Sequence, residues 1–95
     1  MSRGAYVEKQ LKAQIDEWNA KLDQWEARAR EAEAKTKISY EERLSKLRQQ
    51  RDNAQSKLEE LQSAGEKAWE DLKSSAEKTF ANLRAGIERV SSHSQ

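Results

Sequence analysis

The chain has 95 residues, 35% hydrophobic and 37% charged, with a net charge of only +1 from 18 basic and 17 acidic side chains. Such a composition is too polar for a thick globular core at this length, and its balance, seven charges of each sign over residues 1–35 and five of each over 63–95, argues against the broad basic field of a nucleic-acid binder. Cysteine and proline are absent and glycine occurs only at Gly4, Gly65 and Gly86, which excludes disulfides and thiolate chemistry and leaves little to punctuate separate elements.

The opening MSRGAYVEK lacks the apolar core of a secretion signal, and Ser2 stands where N-myristoylation needs glycine. No apolar run approaches the ~20 residues needed to cross a bilayer. The expected location is the cytoplasm. Leu11, Ile15, Trp18, Leu22, Trp25, Ala29 and Ala32 then recur at alternating spacings of four and three, the a/d seam of a coiled coil. That pattern accounts for two tryptophans in a stretch as polar as IDEWNAKLDQWEARA: they are seam residues rather than platforms for a base or a cofactor. Ala13, Ala20, Ala27 and Ala34 recur at sevens beside it and are expected to widen the apolar face. Glu8–Lys12, Glu17–Lys21, Glu26–Arg30, Glu31–Lys35, Glu33–Lys37 and Glu42–Lys46 place acid before base at i,i+4, each worth ~0.2–0.5 kcal/mol to a helix.

The seam resumes at Tyr40, Leu44 and Leu47 and runs through Arg51, Ala54, Leu58, Leu61, Gly65, Ala68 and Leu72. Spacing of 4-4 between Thr36 and Leu44 reads as a stutter. Arg51 is a polar residue on the seam, a position that sets register or oligomer state. Around it, ERLSKLRQQR gathers the chain's local basic cluster. Arg43, Lys46 and Arg48 are the candidate anion contacts there, although Glu41, Glu42 and Asp52 nearby favour an ordinary charged shoulder.

In the last third, Trp69, Leu72, Ala76, Phe80, Leu83, Ile87 and Val90 form one face, with Glu70, Lys73, Ser74, Glu77, Lys78 and Arg84 opposite. The eleven residues from Trp69 to Phe80 carry it from a heptad toward a hendecad. A face with Trp and Phe could lie in a membrane interface, but mixed charge on the polar side favours a partner helix. Residues 91–95 are expected to fray.

Together these features predict an all-α, single-domain chain. The preferred form is one long amphipathic helix over about residues 5–90, forming an oligomeric coiled coil or helical bundle. As a straight rod it would measure roughly 130 Å, and its seam would have to be covered by other chains. One alternative is a helical hairpin turning near residues 62–66, where Ser63-Ala-Gly-Glu66 fits a capping box. Another is a three-helix bundle turning also near 36–40, where Ser39-Tyr-Glu-Glu42 fits the same pattern. Continuity of the seam through Leu58, Leu61, Gly65, Ala68 and Leu72 favours the unbroken form.

Little here suggests catalysis. His93 is the sole histidine, so the Glu-x-x-His pairs of a di-iron bundle cannot be built, and triads, phosphate loops and H-E-x-x-H are missing. Glu41–Glu42, Glu59–Glu60 and Glu70–Asp71 are adjacent pairs pointing to different azimuths, hence solvated flanks. Neither enzyme activity nor a metal or cofactor is expected.

The segments AYVEKQLKAQIDEWNAKLDQWEARA and RDNAQSKLEELQSAGEKAWEDLKSSAEKTF resemble a loose group of small, largely uncharacterised bacterial coiled-coil proteins, which pair an E-W near the start with A-W-E-D-L-K near the end. The resemblance spans most of the chain and implies a bacterial, soluble, non-enzymatic helical protein. The C-terminal part also resembles the lipid-binding repeats of apolipoproteins, without their punctuating prolines. The expected function is that of a self-associating scaffold, spacer or adaptor, partnered by further copies or by another helical protein. Leu11, Ile15, Trp18, Leu22, Trp25, Leu44, Leu47, Leu58, Leu61, Trp69, Leu72, Phe80, Leu83 and Ile87 form its packing seam. The alternative is a peripheral membrane-associating protein using residues 66–90.

Overall fold

The computed structural model describes residues 3–93, with side chains for residues 4–92. Among them it is entirely helical and broken twice: α1 spans Arg3–Glu31, α2 Ala34–Ser63 and α3 Glu66–His93. The single long helix predicted over residues 5–90 is thus replaced by a three-helix bundle. Its extents are 50 × 19 × 19 Å. About thirty residues at ~1.5 Å each make a helix of ~45 Å, so every helix runs nearly the full length. The radius of gyration, 15.3 Å, exceeds the ~12 Å of a compact globule of this size.

The first reversal occupies Ala32 and Glu33, upstream of the 36–40 region where a turn was considered. Heptad steps continued from Ala29 and Ala32 lead to Thr36, Ser39, Arg43 and Lys46, all exposed. The stripe that α2 turns inward is one residue later: Lys37, Tyr40, Leu44 and Leu47. One residue is about 100° of helix. In an unbroken helix the two stripes would therefore face different directions, and a break lets the second face the first. Ser39 lies inside α2 and caps nothing. The cap position belongs to Glu33, at φ −64° and ψ 155°, whose side chain makes no capping bond. Its carbonyl accepts the Lys37 N–H at 2.7 Å.

The second reversal, Ala64–Gly65, falls within the predicted 62–66 region. The capping-box reading of Ser63 is displaced, because Ser63 is the last residue of α2. The Ala64 N–H closes on the Leu61 carbonyl at 3.2 Å, and the Gly65 carbonyl accepts the Trp69 N–H at 3.0 Å. Gly65 and Ala68, read as seam residues, are exposed. Continuity of phase across them is coincidental: a two-residue link resets the azimuth, and the inward stripe of α3 starts at Trp69. At the far end α3 is helical through His93, past the expected fraying point at residue 91, with Val90 buried in its last turn. Ser94 and Gln95 lie outside the described residues.

Alternate helices are antiparallel. Arg51 of α2 meets Asn19 of α1, and Leu47 of α2 meets Gly86 of α3. Both outer helices pack along α2 and approach each other far less. Large rings separate them: Trp18 and Phe80 lie 5.7 Å apart between centroids, tilted by 44°. The fully buried Ala54 and Ala76 (0% exposed) are the small complements that such rings require. Ala13, Ala20, Ala27 and Ala34, expected to widen the apolar face, are exposed instead. With Leu11 and Trp18 at d, Ala13, Ala20 and Ala27 occupy f, the position farthest from the seam, and Ala34 opens α2 beyond the break.

Candidate functional site

The fold disposes of most of the predicted seam within one chain. Leu11, Ile15, Trp18, Leu22, Trp25, Leu44, Leu47, Leu58, Leu61, Phe80, Leu83 and Ile87 are buried, and Trp69 and Leu72 pack half-buried against them. No polar or charged residue is buried among the described residues. The surface, not the interior, is where a functional site must be sought.

Residue Arg51 illustrates the difference between seam and rim. Its guanidinium leaves the core edge, where Nη1 donates to Asn19 Oδ1 at 2.9 Å and Nε to Asp52 Oδ1 at 3.0 Å. The bond to Asn19 ties α2 to α1 at a defined register. A charged hydrogen bond on a partly exposed rim is worth about 1 kcal/mol.

Helix α2 divides the predicted anion contacts between its two flanks. Arg48 turns toward α1 and pairs with Glu26 Oε2 at 3.2 Å, while Glu26 Oε1 accepts Arg30 at 3.4 Å. It is neutralised there. Arg43 and Lys46 turn toward α3, where Arg89 joins them, and the three line a cleft of about 260 Å³ with Gln50, Asn82 and Gly86. Buried Leu47 and Val90 complete its wall. Farther along the groove, a second cleft of about 340 Å³ shares Gln50 and Asn82 and adds Asn53, Ser56, Lys57 and Thr79. Lys57 is engaged by Glu60 at 3.4 Å. Among the described residues no carboxylate lines either cleft, and Arg43, Lys46 and Arg89 enter no ion pair or side-chain hydrogen bond.

Gly86 sets the close spacing of α2 and α3 beside this cleft. A Cβ there would sit 2.9 Å from Leu47 Cδ2 and 3.0 Å from Gln50 Oε1, so α3 approaches α2 more closely than a side chain allows. Sequence reasoning named Arg43 and Lys46 but missed Arg89, Gln50, Asn82 and Gly86. The signal lay in the heptad: Arg43 and Gln50 occupy g, Lys46 occupies c, and these positions face whichever helix returns along that side.

Other surfaces are less organised. The groove between α1 and α3, about 450 Å³, is lined by Val7, Gln14, Lys73, Glu77 and Phe80 among others, and Arg84 donates across it to Gln14 at 3.1 Å. At the end of the rod Gly4 lies against Trp69, whose ring carries Lys73 Nζ at 5.7 Å and whose indole N–H is buried without an acceptor. The adjacent pairs Glu41–Glu42, Glu59–Glu60 and Glu70–Asp71 are exposed. Among the described residues no group of three or more His, Asp or Glu is arranged to hold a metal ion, and no helix is long and apolar enough to cross a membrane.

No family model, no curated protein and no solved structure matches the chain.

Proposed function

We propose that this chain is a non-enzymatic interaction protein: a helical spacer or adaptor that stands as a bundle on its own and meets its partners through its outer faces. The observation that carries this reading is the burial of the seam inside a single chain of three full-length helices. The apolar area that would have driven rods together is already covered, so the driving force for self-association along the seam is spent within the molecule. Association with further copies, or with another helical protein, then falls to outer surfaces, where Tyr6 and Ile38 are 61% and 62% exposed. Three helices also carry the chain from one end of the rod to the other, so that residues 3 and 93 lie at opposite ends of a 50 Å body. An odd number of antiparallel helices separates its ends in this way, whereas a hairpin returns them together.

This reading is favoured over a membrane-bound α3 because Ala76, Phe80, Leu83, Ile87 and Val90 face the core. Lipid binding through them would require α3 to leave the bundle.

The native chain has no cysteine, so dyes placed at Ala5→Cys and Ser92→Cys report the end-to-end distance directly. A single narrow transfer efficiency corresponding to about the 50 Å length, unchanged by dilution and by zwitterionic vesicles, together with the mass of one 11.0 kDa chain by light scattering, is the expected result. Loss of energy transfer, as in a ~130 Å rod, or helicity that falls on dilution, would overturn the self-contained spacer. Flotation with vesicles and a change in transfer would favour the membrane reading.

A further inference from the structure

We infer that the cleft between α2 and α3 at Gly86 is a binding site for a phosphate monoester. Arg43 and Lys46, one turn apart on α2, and Arg89 on α3 bring three positive charges to its rim. None has a carboxylate partner among the described residues, although the chain as a whole is nearly neutral. What sets these three apart is that they converge from two helices on one cleft whose lining holds no carboxylate among the described residues. The neighbouring arginines Arg48 and Arg51 are both paired with acids, and Lys57 at the far end of the same groove is held by Glu60. Like charges one helical turn apart repel each other and weaken the helix. A concentration of three such cations is therefore an arrangement that an anion relieves.

The chemistry of the rim favours phosphate over a carboxylate. Guanidinium groups supply planar forks of N–H donors matched to phosphate oxygens, and the Gln50 and Asn82 amides add neutral donors from the two opposing helices. These are more donors than the two oxygens of a carboxylate can use, and they suit a dianion with three terminal oxygens. A volume of about 260 Å³ lies just below the ~300–1,000 Å³ of sites for drug-sized ligands, which limits the occupant to a phosphate bearing a small organic group. The apolar wall of Leu47 and Val90 accepts that group. Gly86 brings α3 close to α2 here, since the ends of Leu47 and Gln50 occupy the space that a Cβ would take. The same phosphate chemistry is presented by a free metabolite ester and by a phosphatidic acid headgroup.

The test is a titration of the full chain with glycerol 3-phosphate, followed by backbone amide NMR at constant ionic strength, with acetate as the reference anion. Saturable shifts confined to residues 43–50 and 82–90, absent with acetate, are expected. Arg43→Gln and Arg89→Gln should each raise Kd about tenfold, whereas Arg48→Gln, on the opposite flank of α2, should leave it unchanged. Unchanged far-UV circular dichroism of the three variants shows that the fold is retained. Flotation with phosphatidylcholine vesicles containing phosphatidic acid, lost in the Arg43 and Arg89 variants, would assign the headgroup as source; binding of glycerol 3-phosphate without flotation would assign the free ester. Absence of saturable shifts, or equal weakening by Arg48→Gln and Arg89→Gln, would reduce the cluster to a diffuse surface field and overturn the inference.

Discussion

Phe80→Ala probes the point where α1 and α3 meet. The ring is 2% exposed and lies 5.7 Å from that of Trp18, so truncation removes a buried aromatic side chain and leaves a cavity between two helices that touch little elsewhere. Changes of this kind cost ~3–5 kcal/mol. A domain of this size has a total stability of roughly 5–14 kcal/mol at ~0.05–0.15 kcal/mol per residue. Its unfolding entropy is about 0.2 kcal/mol/K at ~2.1 cal/mol/K per residue, so a loss of ~4 kcal/mol lowers Tm by about 20 °C. Phe80→Leu keeps most of the apolar volume but loses the ring pair, worth ~0.5–1.5 kcal/mol, and should lower Tm by only about 5 °C. Thermal melts followed by far-UV circular dichroism at about 1 and about 100 μM, a range over which an oligomer's Tm rises by mass action, read both the size of the effect and its origin. Folding within one chain requires the same Tm at both concentrations. A loss below ~5 °C for the alanine variant, or a Tm that climbs with concentration, would show that Phe80 does not bridge α1 and α3 within one molecule.

Two further substitutions address the breaks and the close approach. Glu33 occupies the cap position of α2 in extended conformation with no capping bond, so Glu33→Asp, whose shorter carboxylate reaches the N–H groups of the first turn, should stabilise by about 1 kcal/mol and raise the chemical denaturation midpoint; an unchanged midpoint would place the helix start elsewhere. Gly86→Ala would gain ~1 kcal/mol in an ordinary exposed helix, but here the new Cβ meets Leu47 and Gln50 at 2.9 and 3.0 Å, and overpacking of ~1–3 kcal/mol should turn the gain into a net loss of about 1 kcal/mol. A higher midpoint for this variant would mean that Leu47 moves aside freely.

The helical class and the identity of the inward residues were legible from spacing alone, because a residue's azimuth on a helix depends only on its distance along the chain. That is why the stripes from Leu11 to Trp25, from Leu44 to Leu61 and from Trp69 to Val90 reappear as the core. The same logic failed for the alanines at sevens: periodicity alone does not say which face a stripe occupies, and Ala13 and Ala20 lie two residues beyond the d positions. It also failed at Gly65 and Ala68, where phase happened to carry across a turn.

Local sequence could not decide which surface covers the seam. A stripe of leucines and aromatics is satisfied equally by a second chain or by its own continuation, and the difference lies in two links of two residues, Ala32–Glu33 and Ala64–Gly65, that carry neither proline nor a side-chain cap at Glu33. Reversal there is favoured by what it brings together at long range, the burial of three stripes against one another, rather than by any strong local signal. The cleft at Gly86 has the same origin. Arg43 and Lys46 are a turn apart in the chain, but Arg89 reaches them only because α3 returns antiparallel along α2. Periodicity acts along one helix and so was readable residue by residue. Pairing between helices is a property of the folded chain, set by which apolar faces exclude water from each other.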